Sequence, residues 1–278
     1  MGTIALFSDV HGNIDALRHV LDDIKSVGAE RIICLGDLAS YNADQHTCME
    51  LLRSQDIEWI AGNHDLIAAG LLAPLACSPY ALYSSTQARK RLKPEWREYI
   101  RTLPLMIVEE KFCAFHGSPD KVDEYLSREE RLRKAVRIIR ERGLPPLAFF
   151  GHTHLTKATR IQEDGSLISL GDGEIELQDD GVFLVNVGTV GEPRGEVKWA
   201  SYVLYDPDAG KVTFRRVEFD HETSWQRSIE QKWRRKNSNG FSGLYDRFRR
   251  KAGRLRHRLF PRTADDSSLD ALKERMDS

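Results

Sequence analysis

Ile4-Ala5-Leu6-Phe7-Ser8-Asp9-Val10-His11-Gly12-Asn13 is the stretch whose reading decides the fold. Four apolar residues run into a serine, then a carboxylate and an imidazole two positions apart, then a glycine. The pattern predicts a buried strand that stops and presents Asp9 and His11 at its C-terminal end, where open α/β sheets bind ligands. Alternation along extended chain puts the two side chains on one side, so both can grip one ion. The plain alternative is a strand followed by an Asx-type turn, with His11 incidental.

The residues that follow repeat the theme. Asn13 is placed to cap a helix whose apolar residues Ile14, Leu17, Val20, Leu21 and Ile24 keep helical spacing. Arg31–Leu35 reads as a second strand that stops at Gly36-Asp37. After a helix over Asp44–Ser54, Glu58–Ala61 reads as a third, stopping at Gly62-Asn63-His64-Asp65. This alternation implies parallel strands with right-handed crossovers. Residues 66–102 break the rhythm and read as a helical insertion, with helices over Ala81–Arg91 and Pro94–Arg101. Such an insertion is placed to wall one side of a cleft. Leu105–Val108 and Phe112–Phe115 form a strand pair that runs into His116-Gly117, and Arg128–Arg142 is a helix. Leu147–Phe150 is a strand ending at Gly151-His152-Thr153-His154. Six short strands separated by Asp-Gly and Asp-Pro turns follow, up to about Val217, and are expected to be mostly antiparallel. The predicted fold is α/β (α+β): two mixed β-sheets packed face to face, helices outside, and the site on one rim.

Composition bounds the function. The 278 residues, 41% hydrophobic and 30% charged, are enough for one large domain or a domain with an appendage. No apolar run approaches the ~18 residues that a membrane span requires. Four scattered cysteines (Cys34, Cys48, Cys77, Cys113) without a CxxC pair, and no secretory pattern at the N-terminus, lead us to expect a cytoplasmic protein. The net charge of −1 hides an asymmetry: between Arg227 and Arg262 lie 13 Lys or Arg against two acids. The expected division is a body over residues 1–220 and a basic helical extension over 221–278. Within the extension, Ser242–Phe260 has the spacing of an amphipathic basic helix. With Trp225, Trp233, Phe241, Phe248 and Phe260, that extension suits an anionic surface (lipid or nucleic acid), self-association, or simple packing on the acidic body.

The chemistry lies in the strand-end residues Asp9, His11, Asp37, Asn63, His64, His116, His152 and His154. A lone histidine is ordinarily a core or surface residue. Five at successive strand ends, with two aspartates and an asparagine, make a metal-ligand set. Carboxylates with imidazoles suit Mn, Fe, Co, Ni or Zn, and seven ligands exceed what one tetrahedral zinc requires. Two divalent transition-metal ions fit the count.

In order and spacing, Asp9-Val10-His11-Gly12-Asn13, Gly36-Asp37, Gly62-Asn63-His64-Asp65, His116-Gly117 and Gly151-His152-Thr153-His154 together resemble the calcineurin-like metallophosphoesterases. Within that superfamily the chain is most similar to the small prokaryotic-type phosphodiesterases, whose closing motif resembles Asn186–Arg194 and Ala200-Ser201-Tyr202. The resemblance covers roughly residues 3–217. It implies one ion held by Asp9, His11, Asp37 and His154 and a second by Asp37, Asn63, His116 and His152, with Mn the favoured metal. It implies hydrolysis of a phosphodiester or phosphomonoester, small-molecule or nucleotide, through attack by a hydroxide bridging the ions. His64 is then the candidate for leaving-group protonation or for holding a phosphoryl oxygen, with Asp65 to orient it; a structural turn residue is the plain reading. Asn63 and Arg194 are candidates to touch the phosphate, Arg194 being equally placed as an ordinary surface arginine.

The chain lacks the Asp-Arg-Gly element of the superfamily's protein Ser/Thr phosphatases after Gly36-Asp37. It also carries Asp65 where they carry Glu, so a phosphoprotein phosphatase is disfavoured. An inactive interaction scaffold on the same fold is disfavoured too, because no ligand position is missing.

Overall fold

The computed structural model describes residues 2–74, 77–178, 180–194 and 198–234. The basic helix expected over Ser242–Phe260 lies outside the described residues.

The opening stretch forms strand β1 (Ile4–Phe7), and its alternation sets the layering. Ala5 and Phe7 point to a helix-covered face, while Ile4 and Leu6 point into a core between two sheets. Helix α1 (Ile14–Ser26) follows, with the Asn13 side chain accepting the Ala16 N–H at 3.1 Å. Strand β2 (Arg31–Cys34), helix α2 (Gln45–Ser54) and strand β3 (Glu58–Trp59) complete the parallel unit, with β1 and β3 each paired parallel to β2. The third strand is two residues long rather than the four expected, because the chain leaves the ladder early to enter its glycine turn.

The insertion is helical as expected: α3 (Asn63–Ala69), α4 (Pro79–Arg91) and α5 (Pro94–Thr102). Strands β4 (Met106–Val108) and β5 (Cys113–Phe115), helix α6 (Glu129–Glu141) and strand β6 (Leu147–Phe150) begin a second sheet. Strands β7 (Thr156–Ile161), β8 (Leu167–Gly171) and β10 (Val182–Val187) continue it. Strands β9 (Glu174–Glu176), β11 (Trp199–Asp206) and β12 (Lys211–Glu218) return to the first. The sheet orders are β3-β2-β1-β11-β12-β9 and β4-β5-β6-β10-β7-β8. Pairing in the β-rich half is antiparallel except that β10 runs parallel to β6. β10 lies buried along its whole length beside β6, as parallel strands do.

Period two carries through every central strand. Leu147 and Phe149 of β6, Phe183, Val185 and Val187 of β10, and Val203 and Tyr205 of β11 face inward. Ala148, Phe150 and Leu184 face α6, and Tyr202 faces α1. Two sheets sharing one apolar core bring the C-terminal ends of β1, β2, β3, β5 and β6 to one rim.

Beyond β12, helix α7 (His221–Glu230) and the turn after it pack on the body. Trp233 is buried at 3% exposure beneath the Arg91 guanidinium, so this aromatic is not free for a lipid surface. Among the described residues no helix is long and apolar enough to cross a membrane.

Candidate metal centre

The strand-end residues meet at that rim, and all of them are buried. Asp9, His11 and His154 form one cluster of facing donor atoms; Asp37, His116 and His152 form another. His11 Nε2 lies 3.5 Å from Asp9 Oδ1 and 3.2 Å from His154 Nε2, and His154 Nε2 lies 3.2 Å from Asp9 Oδ1. His116 Nε2 lies 3.2 Å from Asp37 Oδ2 and 3.0 Å from Asn63 Oδ1. Asp37 Oδ2 is also 3.8 Å from His11 Nε2, so it faces both clusters.

The backbone explains how so many donors converge. Asp9, His11, Asp37, His152 and His154 all have positive φ, between 50° and 64°. Left-handed backbone is unusual for residues other than glycine and carries strain, which persists where surrounding contacts over-determine it. Asp9 and His11 therefore share a side because each turns left-handed after β1 ends, not because the chain stays extended as expected. Gly151 permits a close approach: a Cβ there would sit 2.2 Å from Ser8 Oγ and 2.6 Å from Asp9 Oδ2.

Five of the donor residues are held by their other atom. Asp9 Oδ2 accepts the His152 N–H at 2.9 Å, and Asp37 Oδ1 accepts the His64 N–H at 2.7 Å. Three imidazoles place Nδ1 against backbone carbonyls: His11 against Ala39 O at 3.0 Å, His116 against Leu35 O at 2.7 Å and His154 against Glu192 O at 2.8 Å. A proton on Nδ1 leaves each Nε2 as a lone pair aimed inward, the arrangement that orients metal-ligating histidines. What remains is a set of orphaned atoms: Asp9 Oδ1, Asp37 Oδ2 and His152 Nε2 are buried without a hydrogen-bond partner. Such atoms are costly unless a ligand satisfies them, and two cations fit.

The same contacts set the charges of the metal-free centre, where a cation would have to displace a proton from His116. Burial opposes ionisation of Asp9 and Asp37, yet the surrounding histidines hold both carboxyls well below the usual range. Burial pushes down His116, but Asp37 beside it outweighs this and raises it to about 9. Burial, then the His116 charge, push His152 down to about 3.

His64 does not pair with Asp65. Its Nδ1 contacts Ser85 Oγ of α4 at 3.0 Å, and burial holds the imidazole down to about 3, in the neutral form. Asp65 spends both oxygens on backbone: Oδ2 accepts from Asp37 N at 2.7 Å and Gly62 N at 3.1 Å, and Oδ1 from Ala39 N at 2.9 Å. The expectation that Asp65 orients His64 is thus corrected: Asp65 clamps the Gly36–Ala39 turn, and Ser85 meets His64. Ser85 had no sequence signal, being one hydroxyl in a helix 21 residues downstream.

Two cavities open on the centre. One, of about 280 Å³, is lined by Asn63, His64, His152, Tyr41 and Tyr125 and by α3–α4 residues such as Ile67 and Ala81. The other, of about 300 Å³, is lined by His154, Leu155, Trp199 and Arg216. Arg194 lines both and is exposed at their junction, with Nη1 3.3 Å from Thr153 O. Tyr125, whose ring lies 4.0 Å from that of His152, and Tyr41, 4.5 Å from His11, were missed by the sequence reading. Neither sits in a strand-end block.

Residues 3–210 match the model of the calcineurin-like phosphoesterase superfamily domain. The chain belongs to that superfamily. An uncharacterized protein of Methanocaldococcus jannaschii, MJ0912, is 33% identical over 233 residues, spanning 82% of this chain and 92% of its own. A metallophosphoesterase from Sphaerobacter thermophilus superposes with a TM-score of 0.69 at 30% identity, over 83% of this chain and 94% of that one. A hypothetical protein from Pyrococcus horikoshii, PH1004, superposes at 0.66 with 19% identity, over 84% and 95%, and shares the fold.

Proposed function

We propose that this protein is a two-metal phosphodiesterase. Asp9, His11 and His154 hold one divalent ion; His116, His152 and Asn63 hold the second; Asp37 is shared. The observation that carries the reading is the inward set of buried donor atoms left without hydrogen-bond partners, Asp9 Oδ1, Asp37 Oδ2 and His152 Nε2. The donors are oxygen and imidazole with no thiolate, which suits Mn or Fe, and Mn is the metal of choice for assay. When bound, such ions act as Lewis acids at phosphorus and bring the pKa of a water toward neutrality. Four free cysteines fit a reducing cytoplasm.

The chain's own residues do the rest. His64, tied at Nδ1 by Ser85, offers Nε2 to a phosphoryl or leaving-group oxygen within the first cavity. Arg194 reaches the phosphate from the junction of the cavities. A diester has two substituents, and two cavities flank the centre. One reaches the Asp37 cluster through Asn63 and His152, the other the Asp9 cluster through His154. Leu155 and Trp199 stand 53% and 38% exposed in the second cavity and suit an apolar or planar substituent.

The test is turnover of bis-p-nitrophenyl phosphate against p-nitrophenyl phosphate with Mn. The diester is expected to be the better substrate, and Trp199→Ala to raise KM for the diester alone. A preference for the monoester would overturn the diester reading. No turnover of either by protein carrying two ions would overturn the enzyme reading and leave an interaction scaffold.

A further inference from the structure

Arg234 is a charged side chain that the chemistry above does not use, and it is 1% exposed. Its guanidinium pairs with the Glu192 carboxylate, with Nη1 3.1 Å from Oε1. It also donates to Asn42 Oδ1 at 3.0 Å and to the Tyr80 hydroxyl, and lies 3.9 Å from the Trp225 ring centroid. Burying a guanidinium is costly; here both terminal nitrogens are paired while Nε has no hydrogen-bond partner, and a tail merely resting on the body has no need of such a buried charge.

The partners lead to one metal cluster. The Glu192 carbonyl accepts His154 Nδ1 at 2.8 Å. The Glu192 N–H donates at 3.1 Å to Thr189 Oγ1, whose own proton goes to the Asp9 carbonyl at 2.9 Å. The Asn42 amide donates to the His11 carbonyl at 3.0 Å. Asn42 is gripped a second time from α7, by Ser228 Oγ at 2.7 Å. One guanidinium thus braces, at one remove, the segments carrying Asp9, His11 and His154. None of these contacts touches Asp37, His116 or His152 itself; the second cluster is reached only one step further on, where the His11 N–H donates to the Asp37 carbonyl at 2.8 Å and Asp9 Oδ2 accepts the His152 N–H at 2.9 Å.

We infer that residues 221–234 are a strap that completes the Asp9–His11–His154 site, with Arg234 as its positioning residue. The strap acts by fixing the Glu192 backbone, which in turn fixes the His154 ring and the inward aim of its Nε2. This inference rests on the two-metal reading. It also changes the meaning of the basic extension, whose first turns belong to the centre rather than to an appended arm.

The test titrates the full-length protein with Co²⁺ by calorimetry and by visible absorption, which reports ligand geometry. Arg234→Met is placed in two backgrounds that each retain one site: His152→Ala keeps the Asp9 cluster, and His11→Ala keeps the Asp37 cluster. We expect Arg234→Met to weaken Co²⁺ about tenfold in the first background, the low end for loss of outer support. In the second it leaves affinity unchanged. Arg234→Lys, which keeps the charge and serves should the methionine variant fail to fold, is expected to recover part of the loss. No change in either background, or equal weakening in both, would overturn the strap and leave Arg234 a general packing residue. Failure of the unaltered protein to bind two Co²⁺ would instead overturn the two-metal reading itself.

Discussion

Asp65 is the residue whose removal most directly tests how the centre is built. Its buried carboxylate accepts three backbone N–H groups, from Asp37, Ala39 and Gly62. Hydrogen bonds to a charged group contribute about 1.5–3 kcal/mol each. In Asp65→Asn the surviving oxygen can serve Asp37 and Gly62 as a neutral acceptor, at roughly half strength. The amide NH₂ then faces the Ala39 N–H, so one bond is lost and a buried donor is left unpaired. Against this stands relief of a buried charge: burial and then the Asp37 charge push the Asp65 carboxyl up to about 6. The balance is a loss of about 3 kcal/mol. For a protein of this size that lowers Tm by roughly 6–12 °C. The assay is a thermal melt of metal-free protein, followed by metal analysis of the loaded form. Since Asp65 fixes the amide of Asp37 itself, the variant should also retain less metal at the Asp37 cluster. Turnover should fall for good and poor leaving groups alike, unlike a loss of His64 function. A variant melting within about 2 °C of the parent, with both ions retained, would refute the reasoning.

Ser85→Ala removes the contact to His64 Nδ1; kcat on a poor-leaving-group diester is expected to fall about tenfold, with KM and metal content unchanged, and an unaltered kcat would show that His64 needs no such tether. Chelation leaves Asp9 Oδ1 and Asp37 Oδ2 unpartnered. Each ion at a thousandfold excess over its Kd contributes about 4 kcal/mol, so EDTA should lower Tm by roughly 8–16 °C per site; identical melts would argue against built sites. Burial opposes ionisation of Asp23, but Arg215 and the Tyr202 hydroxyl hold its carboxyl below the usual range. A depressed carboxyl lends stability above its unfolded value that is lost as the pH falls. The stability gap between parent and Asp23→Asn should therefore be constant above about pH 5 and close toward pH 2. A gap independent of pH would place the contribution of Asp23 in packing rather than charge.

The sequence made the strands and the candidate ligands legible for one reason: both signals are local. Apolar runs of four residues ending in Gly, Asp, Asn or His mark strand ends whatever the rest of the chain does. β1, β2, β6 and β10 formed at the expected positions. The unbroken apolar run Ile4–Phe7 read as a buried strand, and the structure divides it between two layers, Ala5 and Phe7 on one face and Ile4 and Leu6 on the other. Asp9, His11, Asp37, Asn63, His116, His152 and His154 were gathered from these blocks, and the structure brings all seven to one rim.

Tertiary structure decided what depends on residues far apart in sequence. The left-handed backbone at Asp9 and His11 exists because neighbouring turns hold it; the His11 N–H, for one, donates to the Asp37 carbonyl at 2.8 Å. Asp65 became a clamp on backbone amides, and Ser85 took the place beside His64 assigned to it. Neither can be read from spacing, since a carboxylate or hydroxyl chooses among partners only once helix α4 and the turns have docked. Arg234 looked like one more cation in a basic run and is instead buried against Glu192. A charge pattern counts residues but does not see which of them has left water. The sequence therefore determined which atoms could meet a metal. The packing of distant segments determined which atoms hold those in place, because desolvation and hydrogen-bond geometry exist only between surfaces that the fold has brought together.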